Sequence, residues 1–335
     1  MRRSAMVAMP VACALLATGC ASKSGQGDDA LQIVANPVAA TAAVSPAPAV
    51  APAGTVLASA GVTALAADPA SGVLAVAVDQ PPSVLLYRLA DPAAAPVRVS
   101  VTGPVEELSF GSGQVLASIP SRGQVAAVPL SGGQATELGV PGQPADAVAA
   151  GTDTLVAVRD RKSVDVYSGG ALVRSITGGL YSADEVVHSG DQTVVLDRLR
   201  TAVFKVDVQG GTIGEGLRAG DGATNAVADS YGRVLVTDTR AGALLAFSMD
   251  PLLLRQMYPV PGGIYAIAYD ARRSLAWVTL TGSNQVVGFD VRGGEPVEKF
   301  RFPTVRQPNS VAVDEGTGRV YVGSATGEGI QVIQP

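Results

Sequence analysis

The stretch Asn225–Phe247, NAVADSYGRVLVTDTRAGALLAF, decides the fold. It contains a short apolar run ending at Asp229, a turn with Gly232, a β-rich run, a polar turn around Arg240, and a second apolar run. Val-rich runs of this length, with a period of two and bounded by turn residues, read as strands; no 3.6-residue period is present to support a helix. The same pattern returns at Ala266–Phe289 (AIAYDARRSLAWVTLTGSNQVVGF), Ser310–Ile333 (SVAVDEGTGRVYVGSATGEGIQVI) and Ala64–Tyr87 (ALAADPASGVLAVAVDQPPSVLLY). Looser copies begin at Glu107, Ala147 and Glu185. The residues that end the first run are Asp68, Gly111, Gly151, Ser189, Asp229, Asp270 and Asp314, at spacings of 43, 40, 38, 40, 41 and 44. Repetition at this period marks a ring of similar sheets. With three readable strands per copy and a following segment to supply a fourth, the chain is expected to be all-β, a seven-bladed β-propeller over residues 55–335.

The two ends of the repeat array explain each other. Copies one to six are followed by an outer-strand candidate, such as Val97–Val101 or Glu298–Phe302, whereas the seventh stops two residues after Ile333. An orphan strand, Thr55–Ser59, precedes the first copy. The N-terminal strand is therefore expected to close the last blade, which removes the edge an open array would expose.

Composition agrees with this reading. The 335 residues include 39 Gly and 22 Pro, with only 16% charged residues and 47% hydrophobic ones, so the chain buries a core and punctuates it with turns. Two Cys exclude a disulfide scaffold and a single His excludes a multi-histidine zinc site. A formal net charge of −5 without a basic block argues against nucleic-acid binding.

The N-terminus reads as an export signal. Arg2 and Arg3 precede an apolar stretch, Ala5–Thr18, that is too short to span a bilayer and ends in Leu16-Ala17-Thr18-Gly19-Cys20. That ending resembles the bacterial lipobox, and the resemblance implies a signal peptide over residues 1–19 and a palmitate-type lipid anchor on Cys20. The Arg pair leaves Sec and twin-arginine export both open. Residues 20–54, with 11 Ala and four Pro between positions 21 and 54, are expected to form a flexible tether. The expected location is the extracytoplasmic side of the cell membrane, lipid-anchored, as a monomer.

The repeats themselves resemble the NHL and YncE-like seven-bladed propellers, and the N-terminus resembles that of an actinobacterial lipoprotein. The resemblance implies fold more than activity, since such propellers include binding scaffolds, lyases and lactonases. A WD40 repeat fits less well because Trp277 is followed by Val278.

Two groups of residues are candidates for function. The residue five before each anchor gives Thr63, Glu106, Asp146, Asp184, Thr224, Tyr265 and Asn309, with Glu107 and Glu185 beside them. Carboxylate and amide oxygens from Glu106, Asp146, Asp184 and Asn309 could hold Ca²⁺ or Mg²⁺, the basis of a lactonase-like hydrolase or lyase. The second group is the turns between second and third strands, which carry Arg122, Arg159, Arg161, Lys162, Arg198, Arg200 and Arg240. This basic arc would suit an acidic loop of an envelope protein or an anionic envelope polymer. His188 is a weaker candidate beside Asp184 and Glu185. With no nucleophile elbow and no phosphate-binding loop, the leading expectation is a binding scaffold with no catalytic residues and no required cofactor.

Overall fold

The computed structural model describes residues 36–335. The signal peptide and the Cys20 lipidation site lie outside the described residues. Seven four-stranded antiparallel sheets follow one another around a ring, each running from an inner strand at the channel to an outer strand at the rim. The inner strands are Val62–Asp68, Glu107–Gly111, Pro144–Ala150, Glu185–Ser189, Ala223–Ala228, Ile264–Asp270 and Pro308–Asp314. They open blades one to seven in that order. Among the described residues the one helical element is a 3-10 turn at Pro120–Arg122.

Closure occurs as the repeat arithmetic predicts. Thr55–Leu57 pairs antiparallel with Ile330–Ile333, in the register Thr55 to Val332, Val56 to Gln331 and Leu57 to Ile330. The strand is two residues shorter than the sequence pattern indicates. The expected outer strands of blades one and six are also present, as Val97–Ser100 and Val297–Pro303.

The second strand of each blade is covered on both faces by neighbouring blades, which is why these strands read as unbroken apolar runs. Leu74, Ala75, Val76, Ala77 and Val78 are all fully buried, as are Leu155 to Val158. Burying one such Val or Leu contributes roughly 1.5–3 kcal/mol, so the wedges between blades are the main source of stability. Between blades six and seven the wedge is aromatic: Trp277 stacks on Phe300 at 5.6 Å between ring centroids. Gly288 makes room for it, since a Cβ there would sit 2.9 Å from the indole.

The anchor acids have a local role at the turns between first and second strands. Asp68 accepts the amides of Ala70 and Ser71, and Asp229 accepts those of Tyr231 and Arg233. Such side-chain turns hold the chain as it reverses. Copies with Gly111 and Gly151 have no such side chain and reverse with positive φ at Gly113 and Gly151, as the Asp copies do at Gly72 and Gly232.

The tether expectation differs from the structure over its second half. Residues 38–46 run along the face formed by the turns between second and third strands, crossing blades five, six and seven. Val38 O accepts from Arg240, Ala43 O from Gln307, and Pro46 O from Asn284. Ser45 is buried, donates to Thr281 O at 2.7 Å, and accepts from the Gln307 amide at 2.8 Å. The chain then passes outward, with Ala53 donating to Pro303 O, to become the closing strand. An Ala-rich segment binds here because small side chains let it approach the glycine-containing turns at Gly222, Gly263 and Gly282.

Candidate functional site

On the same face, the central channel opens into a cavity of about 510 Å³. Its rim and walls include Thr63, Glu106, Glu107, Arg198, Asn225, Tyr265 and Asn309, with Pro104, Val105 and Pro120 as an apolar side. A second cavity of about 370 Å³ continues down the channel and adds Glu185.

The counting rule that placed channel residues five before each anchor holds for only some blades. Five inner strands carry a register shift near their start, between Val62 and Ala64, Pro144 and Asp146, Ala223 and Asn225, Ile264 and Ile267, and Pro308 and Ser310. A bulge of this kind re-aims side chains by one position. Glu107, Glu185 and Asn225, in blades two, four and five, line the channel one position later than the rule states, the first two without such a bulge and the third with one.

The four oxygen donors proposed for a cation do not converge. Glu106 and Asp184 are instead bridged by one guanidinium: Arg159 Nη1 reaches Glu106 Oε2 at 3.1 Å, Nη2 binds Glu106 Oε1, and Nε reaches Asp184 Oδ1 at 2.6 Å. The other Asp184 oxygen accepts from Ser182 Oγ and the Arg198 amide. Asp146 is buried and accepts the amides of Ala147 at 2.8 Å and Val186 at 2.9 Å. Asn309 Oδ1 accepts from Gln307 Nε2. Among the described residues no group of three or more His, Cys, Asp or Glu side chains is arranged to hold a metal ion.

The basic arc lies on one face, but most of its cations have partners within the protein. Arg122 donates to Thr102 O, and Arg161 to Pro141 O and Ser175 Oγ. Arg240 donates to Asp221 O and to Val38 O of the crossing segment. Lys162 lies over the Tyr181 ring. Arg200 is a correction to the surface reading, being only 2% exposed. It donates to Gly179 O and stacks on Tyr181 at 4.6 Å and Phe204 at 5.6 Å, so cation–π contact and a backbone acceptor hold it inside. His188 pairs with Thr193 Oγ1 at 2.9 Å, a link between the first and second strands of blade four.

Burial sets the charge of the channel acids. Desolvation, assisted by the nearby Asp146 and Glu106 and opposed by Arg198, pushes the Glu107 carboxyl up to about 8. Glu185 is raised well above the ordinary carboxylate range by burial and by the charges of Glu107 and Asp146, again opposed by Arg198. Asp146, also raised by burial but eased by its two amide donors, lies at about 6. At neutral pH Glu107 therefore presents a protonated carboxyl to the channel near an ionised Arg198.

No protein-family model matches the sequence, and no curated protein matches it. The fold has many solved likenesses. Hydrazine synthase of Kuenenia stuttgartiensis aligns with TM-score 0.73 and 16% identity, covering 84% of this chain and 98% of that one. A catalytically inactive virginiamycin B lyase from Staphylococcus aureus with quinupristin aligns with TM-score 0.70 and 12% identity, covering 84% and 98%. The WD40 β-propeller domain of Doa1 aligns with TM-score 0.68 and 14% identity, covering 87% and 97%. At these identities the likeness concerns the fold, which is the seven-bladed β-propeller.

Proposed function

We propose that this chain is a lipid-anchored envelope lipoprotein of the NHL/YncE-like kind whose propeller is a binding scaffold, with the ligand seated at the channel mouth. The observation that supports this is the open 510 Å³ cavity there, beside carboxylates already committed to arginine and to backbone amides. A cavity of this size with an apolar side and a few polar groups suits one ligand group or one side chain of a partner. Metal-dependent hydrolysis would require Glu106 and Asp184 to leave Arg159, and their ion pairs oppose that.

Site-specific photo-crosslinking in the envelope tests the reading. A photoreactive residue at Ser121, on the mouth, is expected to give discrete adducts, while one at Ser71, in a turn on the opposite face, gives none. The same preparation with Cys20→Ala should move from the membrane to the soluble fraction. Adducts from Ser71 alone, or from neither position, would overturn the scaffold reading.

A further inference from the structure

One guanidinium at the mouth, that of Arg198, makes only long side-chain contacts. Arg198 is fixed at its backbone by donating to Asp184 Oδ2 at 2.8 Å, and its side chain lines the mouth cavity with 14% exposure. Its Nε is buried without a hydrogen-bond partner. Nη2 donates a long hydrogen bond to Asn225 Oδ1 at 3.4 Å, and Nη1 forms a loose ion pair with Glu106 Oε1 at 3.7 Å. A close guanidinium–carboxylate pair is about 2.7–2.9 Å, so both contacts are long ones. Glu106 cannot close the gap because Arg159 already grips both of its oxygens.

The surroundings of Arg198 determine what can complete it. Tyr265, Asn225 and Asn309 offer polar ends around the same cavity, opposite Pro104, Val105 and Pro120. Below it, burial pushes the Glu107 carboxyl up to about 8, so it carries a proton at neutral pH, and a protonated carboxyl donates a hydrogen bond to an incoming anion instead of repelling it. A planar group with two acceptor oxygens matches the two Nη donors, whose present contacts are long.

We infer that the channel mouth recognises a carboxylate of the ligand, which docks end-on against Nη1 and Nη2 of Arg198. This inference rests on the reading of the mouth as the binding face, and it narrows the basic arc to one residue. A carboxylate of this kind can come from an acidic amino-acid side chain or from an acidic sugar, and both fit the same fork.

Calorimetric titration of the full-length chain tests this with two matched pairs of probes: N-acetylglutamate α-amide against N-acetylglutamine α-amide, and glucuronate against glucose. At least one acid is expected to bind about ten- to a hundredfold more tightly than its neutral partner, the range for a hydrogen bond to a charged group. Which pair responds identifies the source. Arg198→Gln should abolish the preference, with its thermal transition recorded to confirm folding. Arg198→Lys, which keeps the charge but not the fork, should retain only part of it. Affinity should fall as pH rises through about 8, where Glu107 ionises beside Asp146, Glu106, Glu185 and Arg198, and Glu107→Gln should flatten that fall. Equal binding of acid and neutral probes, binding of neither acid, or a preference that survives in folded Arg198→Gln overturns the inference. Adducts at Ser121 without carboxylate binding would sink this inference alone, and loss of both would sink the scaffold reading too.

Discussion

Asp146, Glu185 and Asn225 play the same part in three blades, each extending from an inner strand to the backbone of the next blade. Asp146 accepts the Val186 amide at 2.9 Å, Glu185 accepts the Ala226 amide at 3.0 Å, and Asn225 donates to Tyr265 O at 2.9 Å. Side chains that resemble metal ligands in the sequence thus stitch the blades together around the channel. Holding acids in this ring has a pH signature. Glu107 titrates from an ordinary 4.5 up to about 8 in the fold, so between those values the folded chain binds a proton that the unfolded chain has released. Stability must then fall as pH rises across that window, with Asp146, at about 6, and Glu185 adding to the slope. Urea midpoints are expected to be lower at pH 8.5 than at pH 5.5, and Glu107→Gln should lose less over the same interval. Stability that climbs with pH, or identical slopes for the two proteins, would contradict this account of the channel.

At the scale of elements, the ring of strands was legible and the crossing segment was not. Strand count, blade period and the closing strand follow from apolar runs punctuated by Asp and Gly, because backbone reversal imposes those residues locally. Which inner-strand residue faces the channel follows no such rule: a uniform count reaches Thr63, Tyr265 and Asn309 but falls one short of Glu107, Glu185 and Asn225. Arginine partners were equally hidden, since Arg159 pairs with Glu106 53 residues away and Arg240 reaches Val38 across 202. Residues 38–46 have the composition of a linker, but their small side chains suit a close bed of glycine turns. Gln307 anchors that segment: its side chain accepts from Ser45 N at 3.1 Å and donates to Ala43 O at 2.9 Å. Gln307→Ala removes both bonds, each contributing roughly 0.5–1.5 kcal/mol net. Amide exchange of residues 43–45 is expected to quicken about tenfold or more, while the inner strands stay protected. Unchanged exchange at Ser45 would mean that the segment is held by its other contacts and not by the Gln307 side chain.

For the whole molecule, stability depends on a three-residue strand closing the ring, and Gln331 links that closure to two blades. It is fully buried on Ile330–Ile333, beside the closing strand Thr55–Leu57. Its Oε1 accepts the Val305 amide at 3.0 Å, and its Nε2 donates to Ala53 O at 2.7 Å and Pro303 O at 2.9 Å. One side chain thus joins the incoming N-terminal segment, the end of blade six and the last strand of blade seven. Gln331→Leu keeps much of the volume but leaves one buried and two part-buried backbone groups without this partner, a loss of about 2–4 kcal/mol. Because each blade packs only against its two neighbours, an opened ring would loosen from blade seven in both directions and expose Ile330–Ile333 as an edge able to pair with another chain. The expected outcome is one cooperative thermal transition at lower temperature, with self-association that rises with protein concentration near the midpoint. If the transition instead splits, with blade seven melting first and the remainder at the original temperature, closure would be a local clip rather than the constraint that makes seven sheets unfold as one.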